Sequence, residues 1–506
     1  MRNLLFVPEP NLLFRFGQGV EDPRDGLSLF GPLDEGKPHG VRAGVVGTPD
    51  GIRRFCNFVR TLQTPIPQRG EDCKRNRPLY PGFEAIFGIP WNSTPHLRTE
   101  IKPEALRLVV NLDDRHQRVY ATVKLFAEAI LVAHRDEDEK ADVWFVVVPE
   151  EVYKNCRPRS FVGKADRVIA QNRLTVGKAV HLQKQPALFE EINAQATPYL
   201  HDPDFRNQLK ALLLEYGIST QILRESTIAD QEFLGPSGKP ITDLTILKSQ
   251  IAWNVSSAVF YKTGGRPWKL KAIRTGVCYI GLVFKQDEKH QDPRTACCAA
   301  QMFLDSGDGV VFKGNVGPWH TPGRGDYHLS KDAAKELVMQ AVDAYKTRNE
   351  NQKPSELFIH GKTRFNDEEW EGFKEGGGTE TKVVGVRIVI DKDLRLFHPS
   401  KTPILRGMVW IQDNYRAYVW TKGFVPRLQT YPGQETPLPL QVEISKGEAD
   451  IETVVKDILA LTKLNYNACR YADGLPVTLR FADAVGEILV SGPPKVIPPL
   501  AFRFYI

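Results

Sequence analysis

Apolar positions along this chain follow two alternating periods. Phe205, Leu209, Leu212 and Leu213 recur at i, i+4, i+7 and i+8, so DPDFRNQLKALLLEYG predicts a helix with one apolar stripe. Asp202 or Asp204 can cap it, Pro203 suits its first turn and Gly217 ends it. Ser219–Leu223 then predicts a buried strand with Gln221 inside it. Upstream, Val45 and Val46 predict a strand that turns into a helix at Thr48-Pro49. Leu106–Leu112, apolar and branched, predicts another strand. Val119, Val123, Ala127, Ile130 and Leu131 have helical spacing, and DVWFVVVP at Asp142–Pro149 is a continuous buried-strand run. Strands alternating with helices predict a parallel α/β sheet.

A second series starts near Ile241. Val277–Lys285, Val310–Gly314 and Leu357–His360 predict strands. Ser330 caps a helix whose Ala334, Leu337, Val338, Ala341 and Tyr345 are spaced for burial. Val383–Ile390, Met408–Ile411 and Ala417–Thr421 continue the sheet, in an antiparallel sense, and Ile451–Leu464 is an amphipathic helix. EGGGTET at 375–381 reads as a flexible loop. The first forty residues are rich in turn formers, with short strands expected at Leu4–Val7 and Leu12–Phe16.

Composition changes this picture little. With 506 residues the chain can build two or more domains. A net charge of +6 is compatible with a nucleic-acid partner and does not require one. The seven cysteines are scattered and form no Cys-x-x-Cys pair, which excludes a zinc-ribbon pattern and points to a reducing cytoplasm. MRNLLFVPEP is not a signal peptide, and no apolar run approaches the length of a membrane span.

Charge pattern is more informative. Arg206 and Lys210 lie one turn apart beside the apolar stripe, where two like charges repel; an anion between them would remove that cost. Lys262, Arg266, Lys269, Lys271 and Arg274 form a dense basic run around Trp268, suited to a phosphate backbone with an aromatic for stacking. Lys154, Arg157, Arg159, Lys164 and Arg167 form a basic loop of the same potential. GVVGTPDG matches neither a P-loop nor a dinucleotide fingerprint and reads as a tight strand-to-helix turn. His320, His328 and His360 fit no zinc spacing and read as polar or core residues.

Arg206-x-x-x-Lys210, followed by Gln221 within GISTQIL and by Tyr261-Lys-Thr-Gly-Gly265, resembles the guide-binding part of Argonaute proteins, in their short prokaryotic form. The resemblance covers the whole chain. It implies a Rossmann-like MID domain at 1–240, including the lead-in, and a ribonuclease-H-like PIWI domain at 241–506. It places Arg206, Lys210, Gln221 and Lys262 around a guide 5′-phosphate. Ile506 would reach the same pocket with a terminal carboxylate that holds Mg²⁺. Arg266, Lys269, Lys271, Lys463 and Arg470 would contact the nucleic-acid backbone.

Slicing members of that family need carboxylates at strand ends to hold two metals. The first acid position falls here on Val283, after Tyr279-Ile-Gly-Leu282, and the second on Gly361, after Leu357-Phe-Ile-His360. Asp483, in Pro476-Val-Thr-Leu-Arg-Phe-Ala-Asp, is retained. One carboxylate cannot hold a metal pair, so the expectation is a non-cleaving chain that binds a guide RNA and recognises complementary single-stranded DNA. The resemblance further implies a heterodimer with an APAZ-domain effector of TIR or Sir2 type, an NADase, acting in defence against plasmids or phage. Two alternatives stand beside it. One is an active guided nuclease with relocated acids, for which Asp287 and Asp305 are nearby candidates. The other is a structural partner of an effector that binds no guide.

Overall fold

A computed structural model describes residues 4–68, 76–272, 274–286, 296–303, 309–314, 319–321, 326–397, 399–433, 435–493 and 500–506, with side chains undescribed between 286 and 326. Two sheets organise the chain. The first is four-stranded and parallel, in the order Leu97–Glu100, Ala43–Gly47, Val143–Val148, Thr220–Arg224. Its central strands are buried on both faces, which is why VWFVVV reads as an unbroken apolar run. Arg115–Asp136 and Phe205–Leu214 cover one face and Pro49–Thr61 the other.

The Leu106–Leu112 segment is a helix, Pro103–Val110, and not the expected strand. Pro103 opens it, and Leu106 and Val110, one turn apart, are its buried positions. The strand of this unit is Leu97–Glu100, whose mixed sequence LRTE carries no apolar run because it lies at the sheet edge.

The second sheet has ten strands, in the order Leu4–Phe6, Met408–Ile411, Arg416–Val419, Leu440–Lys446, Lys382–Ile390, Glu356–Gly361, Val277–Gln286, Ala296–Phe303, Gly309–Gly314, Leu500–Ala501. Glu356–Gly361 runs parallel to both of its neighbours; the remaining pairs are antiparallel. The helices Lys331–Arg348 and Asp367–Gly377 pack on one face and Val477–Leu489 on the other. The chain's first strand pairs with Met408–Ile411, so the lead-in is built into the sheet of the second half. A buried charge cluster holds it there: Glu9 accepts from Arg406 and from Lys463.

The expected loop at 375–381 begins inside a helix, which runs through Gly377. Its glycines allow close helix packing: a Cβ at Gly372 would lie 2.2 Å from the Lys331 carbonyl oxygen, and one at Gly376 2.6 Å from that of Lys335. Gly281 serves the same end on the opposite face, where a Cβ would lie 2.0 Å from the Thr478 carbonyl oxygen. This contact seats the Val477–Leu489 helix directly on the Val277–Gln286 strand. One large apolar cluster joins the two sheets, with Phe55 and Phe145 of the first half and Trp253, Phe260 and Tyr279 of the second.

Candidate nucleic-acid interface

Lys210 projects from the helix Phe205–Leu214, whose cap is Asp204: its carboxylate accepts from Asn207 N at 2.9 Å, and Pro203 lies just outside. Lys262 is the last residue of the helix Lys248–Lys262. After it Gly264, at φ 106°, turns the chain back, and Gly265 leaves room for the Phe260 ring. Both lysines are buried, and their Nζ atoms converge. Lys210 Nζ donates to the carbonyl oxygens of Thr220 at 3.2 Å and Ile506 at 2.7 Å. Lys262 Nζ donates to the same two atoms at 2.6 and 2.5 Å.

Burial and the neighbouring charges of Lys262 and Arg206 push the Lys210 ammonium well below its ordinary pKa. Burial, then Arg206, lowers Lys262 to about 7. Two lysines so close in a desolvated place regain their charge when an anion enters, which makes them a receptor for one. Arg206 lies one turn before Lys210 and is exposed, with its guanidinium 3.3 Å from Asn207 Oδ1. Gln221 follows Thr220 on the same strand. Its amide donates to the Ile222 carbonyl at 3.4 Å, and its Oε1 is buried without a hydrogen-bond partner. The structure therefore brings Lys210, Lys262 and Ile506 together, with Arg206 acting through its charge. Gln221 makes no direct bond to the lysines. Thr220, whose Oγ1 also accepts from Lys210 at 3.3 Å, was not singled out from the sequence, because its main contact is through a backbone carbonyl.

The basic run is mostly structural. Trp268 is buried and its indole N–H bonds the Lys463 carbonyl at 3.1 Å, so its ring is not offered to a base. Arg266 embraces Asp34 at 2.7 and 2.9 Å, and Arg274 pairs with Asp457 and Glu356. Lys463 is turned inward, 2.7 Å from Glu9 Oε1 and 3.9 Å from the centroid of the Tyr471 ring, which removes it from any guide backbone. Each of these cations has a carboxylate partner from a distant part of the chain. Lys269, partly buried, and Lys271 and Arg470, both exposed, remain open to solvent. In the basic loop, Arg159 and Lys164 are exposed, Arg157 stacks on Tyr153 at 4.8 Å, and Arg167 bonds the Val162 carbonyl.

Two of the three acid positions, Val283 and Asp483, share one face at the end of the second sheet; Gly361 is turned to the other face, where a Cβ would lie 2.9 Å from the Phe365 ring. Val283 is a core residue of the Val277–Gln286 strand, Gly361 ends the adjacent strand, and Asp483 sits on the helix packed above them. Asp483 is bridged by two lysines: Lys285 Nζ lies 3.1 Å from Oδ1, and Lys362 pairs with Oδ2. Burial raises the Asp483 pKa, but hydrogen bonds from Lys362 and Lys285 outweigh it and leave a carboxylate below its usual range. Asp287 and Asp305 lie outside the described residues, as does the side chain of His320. His360 is buried, bonds Thr478 Oγ1 at 3.0 Å and is pushed by burial to about 3; His328 pairs with Glu369 at 3.2 Å. Among the described residues no cluster of three or more His, Cys, Asp or Glu could hold a metal ion, and no helix is long and apolar enough to cross a membrane.

A parallel α/β sheet joined through one core to a ten-stranded mixed sheet matches the fold of Argonaute MID–PIWI structures. Over about half of its length in sequence, and throughout in fold, the chain is similar to Argonaute proteins. The Argonaute of Aquifex aeolicus (strain VF5) is 23% identical over 245 residues, which span 47% of this chain and 31% of that protein. Clostridium butyricum Argonaute, solved with a guide DNA and a 19-mer target DNA, superposes with a TM-score of 0.64 at 16% identity, over 100% of this chain and 55% of that one. Drosophila Piwi superposes with a TM-score of 0.55 at 11% identity, over 99% of this chain and 56% of that one. The chain thus spans about a third of the curated relative's length and little more than half that of the solved ones. No family model matches the sequence.

Proposed function

We propose that the chain holds the 5′-phosphorylated end of a short guide RNA, uses the guide to recognise complementary single-stranded DNA, and does not cut it. The observation that carries this reading is the convergence of Lys210 and Lys262 on the Thr220 and Ile506 carbonyls. A phosphate entering there meets two desolvated lysines whose charged form it restores, with Arg206 at the mouth. Base pairing would read the target, while the protein binds backbone and shape, as in other guided systems. Clostridium butyricum Argonaute, which shares this fold, was solved with both a guide and a target strand.

The Gln221 Oε1 is a buried acceptor without a donor, and a Mg²⁺ would be held there, by Gln221 and the Ile506 oxygen. When bound it would supply positive charge to the phosphate. Loss of cleavage is supported by Val283, Gly361 and the two lysines on Asp483. The output would then belong to a second protein, an APAZ-domain effector of TIR or Sir2 type bound as a heterodimer, which degrades NAD when a plasmid or phage target is found.

The test is binding by the purified chain. A 5′-phosphorylated guide RNA should bind more tightly than its 5′-hydroxyl counterpart. The loaded chain should retain a matched DNA strand and leave it intact in Mg²⁺ or Mn²⁺. A guide-dependent cut at one internal position would overturn the reading and favour a nuclease with relocated acids.

A further inference from the structure

The charge cluster at the degenerate acid site is more than a tether. Val283 and Lys285 lie two residues apart on one strand, so both face the Val477–Leu489 helix. His360 and Lys362 share that face at the end of the neighbouring strand, where His360 bonds Thr478 of the same helix. Two ammonium groups therefore stand beside Val283, and one carboxylate, Asp483, bridges them. This is the charge layout of a two-metal site, in which two cations share a carboxylate. The side chains of Lys285 and Lys362 keep 27% and 43% of their exposure, so both are reachable. Glu487 also touches Lys285, at 3.4 Å, but it is 51% exposed and such a pair is weak.

We infer that Lys285 and Lys362 form a fixed-charge clamp for one internal phosphodiester of the strand paired to the guide. The inference rests on the proposed reading and adds a target-strand contact to it. An ammonium group attracts a phosphodiester as a point charge. It cannot act as a Lewis acid, nor lower the pKa of a bound water as a metal does. The clamp thus holds the linkage that a slicing relative would cut, and leaves it whole. Asp483 positions both lysines, and an arriving phosphate displaces Glu487.

The test uses the full chain loaded with a 5′-phosphorylated guide RNA and a series of matched DNA strands. Each strand carries one neutral methylphosphonate at a different linkage. In the parent chain one internal linkage, or two adjacent ones, should lose about three- to tenfold in affinity when neutralised. The Lys285→Gln/Lys362→Gln variant should bind the unmodified target about tenfold more weakly and show no sensitive linkage there, with guide affinity unchanged. Asp483→Asn separates the clamp from a purely structural tether. It leaves both positive charges in place, so target affinity should hold or rise, whereas loss of a tether would lower it as the lysine changes do. A flat methylphosphonate profile in the parent, or the same profile in parent and lysine variant, overturns the clamp while the guide-pocket reading stands. A loaded parent that binds no matched strand overturns both.

Discussion

Lys210 and Lys262 donate to the same two carbonyl oxygens, Thr220 and Ile506, although they come from helices in different halves of the chain. The two halves are thereby joined at the proposed pocket. Charge-assisted bonds to phosphate are worth ~1.5–3 kcal/mol each. Lys210→Glu should therefore weaken binding of a 5′-phosphorylated guide by more than about tenfold. Titration of labelled guide measures it, and unchanged affinity removes Lys210 from the pocket.

The lowered pKa values give the pocket a pH signature. Lys262 titrates near 7 in the empty fold, against 10.5 for the free side chain. Between those values the unfolded chain binds more protons, so the stability of the empty protein should rise with pH across that window. A bound phosphate restores the charged form, and binding above pH 7 takes up a proton. Affinity for a 5′-phosphorylated guide should then fall from pH 7 to 8.5, by at most about tenfold per pH unit for one proton. A 5′-hydroxyl guide should show a flatter profile. Calorimetry in buffers of different ionisation enthalpy reads the proton directly, and parallel profiles for the two guides would sink the assignment.

Glu9 anchors the lead-in to the second half through Arg406 and Lys463. Burial raises its pKa, but these two cations prevail and hold it below the ordinary carboxylate value of 4.5. Its contribution to stability is complete above that value and is lost as pH falls through the lower, folded one. Glu9→Gln leaves two buried cations without their counter-charge and should cost about 3 kcal/mol. Denaturant unfolding at pH 7 would show this, and the gap between parent and variant should close in acid.

If the chain signals through a partner, target binding must change that partner's state. A guide–target duplex is a large differential ligand, and only such a difference can shift a coupled equilibrium. Co-expressed with the protein encoded beside it, given guide and matched DNA, the complex should consume NAD. Mismatches near the guide 5′ end should reduce consumption more than distal ones. Equal NAD loss with matched and scrambled strands excludes target gating.

Most helices and strands were legible because their apolar periods are local. The Phe205–Leu214 helix, the VWFVVV strand and the Lys331–Arg348 helix each carry their burial pattern within the element. Leu106–Leu112 misled because a run only seven residues long fits either period. Leu97–Glu100 was invisible because an edge strand needs no apolar run.

The sequence by itself determined the chemistry available: lysines at 210 and 262, and no acid at 283 or 361. Such facts are residue identities, independent of packing. Tertiary structure decided which charges are free to act. Lys463 and Arg266 look like free cations in sequence, yet each is paired with a carboxylate more than two hundred positions away, Glu9 and Asp34. Lys285 and Lys362 carried no motif, and folding sets them on Asp483 at the strand ends. A cation's role is fixed by the charge opposite it, and that partner is chosen by long-range packing, which no local pattern encodes.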